Sequence, residues 1–340
     1  MKYKDTLLWK KLEGNISVKN QHAMESLCDA AITMLKTVRD TFPTYTLHDE
    51  VHVVNVIHAI ENLLGEEGIG KLTEGETELL LLAACYHDIG MCYSKQEKQS
   101  ELNSIRFKRY LEQHPSADVL MFENEGEIPA KIQVDFFRSI HHERIAKILK
   151  DSLDVSNVRR DRLIKVCQSH GENIERVKEI PYDNFNEIDY CFCAVLLRLG
   201  DILDFDVTRS PEILYEYQKI EDAQDRQSVI EWRKHQSSLG FRYPKQASRD
   251  ALAFRAVSNS MQTEHFIHMF LDYIDLELRN CSEVISNNCS DRWRNLALPI
   301  QIDRSGIESN GYRTGEYHLT MDSERVLELL VGNDLYTHSA

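Results

Sequence analysis

The sequence reads as mainly α, a helical bundle with a small α+β extension at its C-terminal end. Three observations lead there. Apolar residues recur at spacings of three and four through most of residues 20–210, the period of a helix with one buried face. Two stretches, Leu79–Tyr86 and Ile188–Leu203, are apolar almost throughout, as expected of helices enclosed on every side. Beyond Pro211 the pattern loosens into short β-like runs punctuated by glycines.

Taken in order, Ala23, Leu27, Ala30, Ala31, Met34 and Val38 mark a helix that Pro43 ends. Val53, Val56, Ile57 and Ile60 lie on one face of a second helix over about 48–64, with Gly65 after it. Thr73-Glu74-Gly75-Glu76 is a capping-box start for a helix over 76–87. Ile105–Leu111 predicts a short helix, and 114–129, with its Pro, Gly and acidic residues, a loop. Helices follow over about 131–151, 157–170 and 185–204, the last central by its apolarity. Tyr215–Trp232 is polar and mostly helical, whereas Gly240–Pro244 and Leu252–Val257 read as strands. Phe266–Ile285 is amphipathic, 296–321 is β-like, and Glu324–Val331 is a last short helix. The expected organisation is a helical unit over 1–210, a helical and β extension over 211–295, and a β/helix segment over 296–340.

The bulk chemistry narrows the field. With 340 residues, 42% hydrophobic and 28% charged, the chain can bury a large core. A formal charge of −15 argues against a surface built to hold a polyphosphate backbone, though it leaves room for a local basic groove. The eight cysteines form no CxxC pair and several sit in apolar helices, as reduced core thiols do. Met1-Lys2-Tyr3-Lys4-Asp5 leads into no apolar h-region, and no apolar run approaches the ~20 residues that span a bilayer. A cytoplasmic protein without a membrane partner is expected.

Chemistry-bearing residues fall at helix ends and on inner helix faces. His48 and His52 lie four apart, on one face at the start of a helix. His87-Asp88-Ile89-Gly90 closes the first all-apolar run, where burying two metal-seeking groups is costly unless something pairs them. His141 and His142 sit inside the 131–151 helix between Arg138 and Arg144; His170 ends the next, and Asp201 closes the Leu196–Leu199 helix. Imidazoles and carboxylates converging inside a bundle, without Cys, suit Mn, Fe, Ni, Mg or Zn.

This order, His … His-Asp … Asp on successive helices, resembles the HD superfamily of metal-dependent phosphohydrolases over about residues 40–211. His52, His87, Asp88 and Asp201 carry the resemblance, and His141 and His170 are similar to the added ligands of its two-metal members. Of the adjacent pair, His141 is favoured over His142. Asp201, Asp204, Arg209 and Pro211 resemble the closing helix of HD hydrolases. The His48-xxx-His52 spacing resembles cyclic-nucleotide phosphodiesterases, which implies that His48 protonates the leaving group. Met91 stands where many HD enzymes carry Lys or His, so no basic role transfers there.

The resemblance implies two divalent ions sharing Asp88, the first held also by His52, His87 and Asp201, the second by His141 and His170. A hydroxide between them would attack a phosphoester or phosphoanhydride, with Arg144 or Arg138 neutralising phosphate charge. The expected substrate is a small phosphorylated molecule, a nucleotide first of all. Two alternatives are an HD nuclease acting on single-stranded DNA or RNA, and a non-catalytic nucleotide-sensing module of a phage-defence ATPase. Tyr317–Tyr336 resembles the lead-in to a chaperone/gyrase-type ATPase domain, so a fused or associated ATPase and a second copy of the chain are the expected protein partners.

Overall fold

The computed structural model describes residues 2–115, 127–149, 160–222, 226–245 and 249–313. Among these the fold is mainly α, with two small sheets. Four helices lead in: α1 (Leu7–Glu13), α2 (Val18–Leu35), α3 (Glu50–Lys71) and α4 (Glu74–Tyr86). Then come α5 (Lys95–Leu102), α6 (Ile105–Gln113), α7 (Ala130–Leu149), α8 (Arg160–Ser169) and α9 (Ile174–Lys178). A two-stranded hairpin, β1 (Tyr182–Asp183) and β2 (Ile188–Asp189), precedes α10 (Tyr190–Ile202). The remainder is α11 (Glu212–Tyr217), α12 (Arg226–Ser237), β3 (Ser238–Arg242), β4 (Leu252–Ser258), α13 (Met261–Asn288) and β5 (Ile302–Ser309).

The two apolar runs are the centre. Every residue of α4 from Gly75 to Tyr86, and of α10 from Tyr190 to Gly200, is buried. Helix α10 packs on α3, α4, α8 and α13, so the carboxylate near its end meets side chains from several directions. Gly200 permits a close approach to α3: a Cβ there would stand 2.9 Å from Ile60 Cγ1 and 3.0 Å from Val56 O. All eight cysteines are buried and free, and no described helix is long and apolar enough to cross a membrane.

The capping box at Thr73 forms, with Glu76 N 3.2 Å from Thr73 Oγ1 and Thr73 N 3.0 Å from Glu76 Oε2. Glu76 does more than cap. Its other oxygen accepts from Asp189 N (3.1 Å), Arg292 Nη2 (2.9 Å) and Trp293 Nε1 (3.2 Å). One buried carboxylate thereby joins the starts of α4 and α10 to the chain beyond α13, where Trp293 stacks on Phe192 at 4.0 Å. Four donors gather on this carboxyl, though burial still pushes its pKa above the ordinary value.

Several boundaries differ from the sequence reading. Asp49 caps α3, its Oδ1 2.9 Å from Val51 N, so His48 precedes the helix instead of sharing its face. Helix α3 also continues to Lys71, across a kink at Gly65 (φ 63°). Helix α10 begins at Tyr190 because Asp189 caps it, and the residues before it form the hairpin. Helix α5 has no buried residue, so apolar periodicity gave no sign of it; Ser94 and Glu97 hold its start. The C-terminal sheet has the order β3-β4-β5, antiparallel and then parallel, which makes α13 the crossover a parallel pair requires. Phe205, just beyond α10, stacks on Phe254 of β4 at 5.4 Å and joins this sheet to the bundle. The expected helix Glu324–Val331 and the ATPase-like stretch Tyr317–Tyr336 lie outside the described residues.

Candidate metal centre

Five elements bring the six expected ligands together. His52 comes from the first turn of α3, and His87 and Asp88 from the end of α4 and the turn after it. His141 comes from the middle of α7, His170 from just past α8, and Asp201 from the end of α10. The turn Ile89–Met91 lies directly against α7: a Cβ on Gly90 would stand 1.9 Å from His141 O. Glycine at that position is what allows the His-Asp turn to reach the histidine of α7.

The geometry divides into two halves about Asp88. Its Oδ2 is 3.3 Å from Nε2 of both His52 and His87, and its Oδ1 is 3.7 Å from Nε2 of both His141 and His170. Asp201 Oδ1 adds to the first half, 3.4 Å from His52 Nε2 and 3.6 Å from His87 Nε2. His142 points elsewhere, its ring packed against Gly171.

The donor chemistry fits divalent ions. His87, His141 and His170 each give the Nδ1 proton to a backbone carbonyl, of Ala84, Arg138 and Cys167 respectively. A carbonyl can only accept, so these rings turn Nε2, the atom left to bind a metal, into the cluster. His52 is oriented in the same way by a carboxylate, its Nδ1 2.6 Å from Asp204 Oδ2. Such outer partners fix the tautomer that binds a metal. Yet Nε2 faces Nε2 at 3.1 Å between His52 and His87, and at 2.8 Å between His141 and His170. In each half two Nε2 atoms beside a carboxylate oxygen form a ligand set for a cation, which would displace any proton they carry.

Titration follows the same division. Burial and Arg209 push His52 down, but Asp201, Asp204 and Asp88 outweigh them and lift it to about 9. Burial likewise opposes charge on His87, yet Asp88 and Asp201 hold it well above its ordinary value. In the other half, burial dominates: it lowers His141, and with His141 and His87 nearby it takes His170 to about 3. Burial works against ionised Asp88 and Asp201, but the surrounding imidazoles keep both carboxyls well below the usual range. The first half attracts positive charge, and the second is a pair of neutral imidazole donors.

A cavity of about 300 Å³ opens onto the cluster. His48 lines it, 3.9 Å from Asp88 Oδ2, although it lies outside the helix. Its Nδ1 donates to Thr46 O (2.8 Å), so its Nε2 accepts from Arg209 Nη2 at 3.0 Å. Burial and then Arg209 hold this imidazole well below its ordinary value.

Arg144 requires a correction. Expected at the phosphate, it instead points into the protein behind the His-Asp turn, where Nη1 donates to Gly90 O and to Cys92 O (3.0 Å). Its Nη2 meets Glu97 at 2.9 Å, and its guanidinium lies 3.4 Å from the centre of the Tyr93 ring. Both terminal nitrogens are taken up behind the turn, and Arg144 does not line the cavity. The cavity's guanidinium groups come from Arg138, Arg198 and Arg209. Arg198 carried a legible signal, as the one cation inside an apolar helix, which must find partners once buried. The walls given by Thr44, Gln227, Glu231 and Tyr273 carried none, because they converge only through tertiary packing.

A family model described as HD-CE matches residues 42–280, a span that includes every residue of the cluster. No curated protein and no solved structure matches the chain.

Proposed function

We propose, for a chain that belongs to the HD-CE family, that this cluster makes it a metal-dependent phosphohydrolase of a small nucleotide-like substrate. The observation that carries the reading is Asp88, whose two oxygens face two separate histidine pairs. His52, His87, Asp88 and Asp201 would hold one divalent ion, and Asp88, His141 and His170 the other. When bound, such a pair activates water and polarises the phosphoryl group for in-line displacement.

The protein's own groups supply the rest. Arg209 and Arg138 present positive charge to phosphate, the role that Arg144 does not fill. Arg209 and His48 act as a unit. A guanidinium drawn to phosphate would leave His48 Nε2, and that nitrogen would then be free to take up a proton from solvent and pass it to the leaving oxygen. Asp204 keeps His52 in one tautomer throughout.

Two features favour a small substrate over a nucleic-acid strand. The cavity, about 300 Å³, has the size of a small-molecule pocket. The chain's formal charge of −15 also leans against a surface that holds successive phosphates.

The test is metal analysis beside hydrolysis of a nucleotide panel and of a chromogenic phosphodiester. The parent chain should hold about two Mn(II) and turn over at least one of these substrates. The His87→Ala/Asp88→Ala double variant should lose both properties and keep its far-UV dichroism. Undiminished turnover in the double variant would sink the reading. Hydrolysis of single-stranded DNA or RNA in preference to nucleotides, with binding that falls steeply with salt, would replace the small substrate with a strand.

A further inference from the structure

The second half of the cluster hangs on a residue outside the ligand set. His170 lies in the turn that follows α8, where the last carbonyls of a helix have no partner within the helix itself. One buried guanidinium collects them. Arg198 Nη1 donates to Ser169 O and, at 2.7 Å, to Glu172 O, the carbonyls on either side of His170. Its Nη2 donates to Glu277 Oε2 at 2.9 Å, and both side chains are buried, each 7% exposed. Glu277 belongs to α13, which otherwise forms the crossover of the C-terminal sheet.

We infer that Glu277 and Arg198 are positioning residues for the second metal ion, with α13 setting occupancy of the His141–His170 half of the centre. The inference rests on the binuclear reading above. The chain of contacts is continuous: Glu277 fixes Arg198, and Arg198 fixes the backbone before and after His170. Cys167 O then fixes the ring, so that Nε2 faces His141 at 2.8 Å. The histidines of the first half have no share in this path, since Asp204 and Ala84 O orient them. Loss of the clamp should therefore act on one ion and spare the other. Outer partners of metal-binding histidines have this kind of leverage, worth roughly 10–100-fold in affinity.

The experiment is Mn(II) titration of the full chain by calorimetry, with electron paramagnetic resonance of the loaded protein, for the parent, Glu277→Gln and Arg198→Lys. Glu76→Gln serves as control, a buried carboxylate of similar structural weight on the far end of α4. The expected result is tight binding of one Mn(II) and roughly tenfold or greater weakening of the second in both clamp variants. The spin-coupled signal of the parent should give way to that of an isolated ion. Glu76→Gln should lower the unfolding midpoint without changing the stoichiometry. Two ions bound with parental affinity in both clamp variants would overturn the inference and leave the binuclear reading intact. A single ion in the parent itself would overturn both.

Discussion

The Nε2 atoms of His141 and His170 stand 2.8 Å apart, although each ring has given its Nδ1 proton to a backbone carbonyl. The pair is held as two opposed acceptors, an arrangement that a cation relieves. Replacing either ring should empty one half of the centre and leave the other. His170→Ala is expected to lower bound Mn(II) from about two per chain to about one, whereas His52→Ala should spare the ion at His141 and His170. Metal analysis after dialysis checks both. Loss of all metal from His170→Ala would mean that the halves do not fill separately.

Gly90→Ala tests the contact that seats the His-Asp turn. With a Cβ 1.9 Å from His141 O, the turn or α7 has to move, since the obstacle is backbone. A cost of about 2–3 kcal/mol is expected, in the range of overpacked cores, together with weaker metal binding. Urea unfolding measures the first and Mn(II) titration the second. An unchanged midpoint would show that the turn is not seated against α7.

Arg144→Met should weaken the fold by roughly 3 kcal/mol, because Glu97 and the carbonyls of Gly90 and Cys92 lose their donors. Competitive inhibition by inorganic phosphate should stay within about twofold of the parent, whereas Arg209→Gln should weaken it at least tenfold, the order of one charged hydrogen bond. If phosphate binding followed Arg144 and not Arg209, the roles given to the two arginines would be reversed.

His235 gives stability a pH dependence of known sign. Burial, with Arg209 nearby, lowers its pKa to about 3, and its Nδ1 donates to Asp206 O at 3.1 Å. The unfolded chain takes up this proton near pH 6.5, while the folded one resists it until about pH 3. The neutral imidazole thus adds full stability above about pH 6.5, and that contribution declines as the pH falls through this window. By pH 5 the loss is about 2 kcal/mol. His235→Gln should flatten the decline, read as the difference in unfolding free energy between variant and parent from pH 7 to 5. Parallel curves would refute it.

Much of this protein was legible in its sequence because helices and ligand order are local properties. Periodicity placed α4, α7 and α10, and the capping box at Thr73 marked the start of α4 within two residues. Candidate His and Asp residues stood at helix ends and on inner faces, and the resemblance to the HD superfamily implied the six that converge on one cluster. A charge at the end of an apolar helix has to face a partner, and the bundle's middle is where such ends meet.

What only the tertiary structure decided was direction. Arg138 and Arg144 lie on one helix, two turns apart, yet one lines the cavity and the other braces the turn behind it. His141 and His142 are neighbours whose rings project to different sides, one toward Asp88 and the other toward Gly171. Spacing along a helix fixes the angle between side chains but not which angle faces inward; the packing of α7 against the His-Asp turn sets that. The link from Glu277 to His170 spans α13, α10 and α8, elements far apart in the chain. A contact of that kind is created when the core closes, because the buried guanidinium must satisfy its donors wherever the fold offers acceptors.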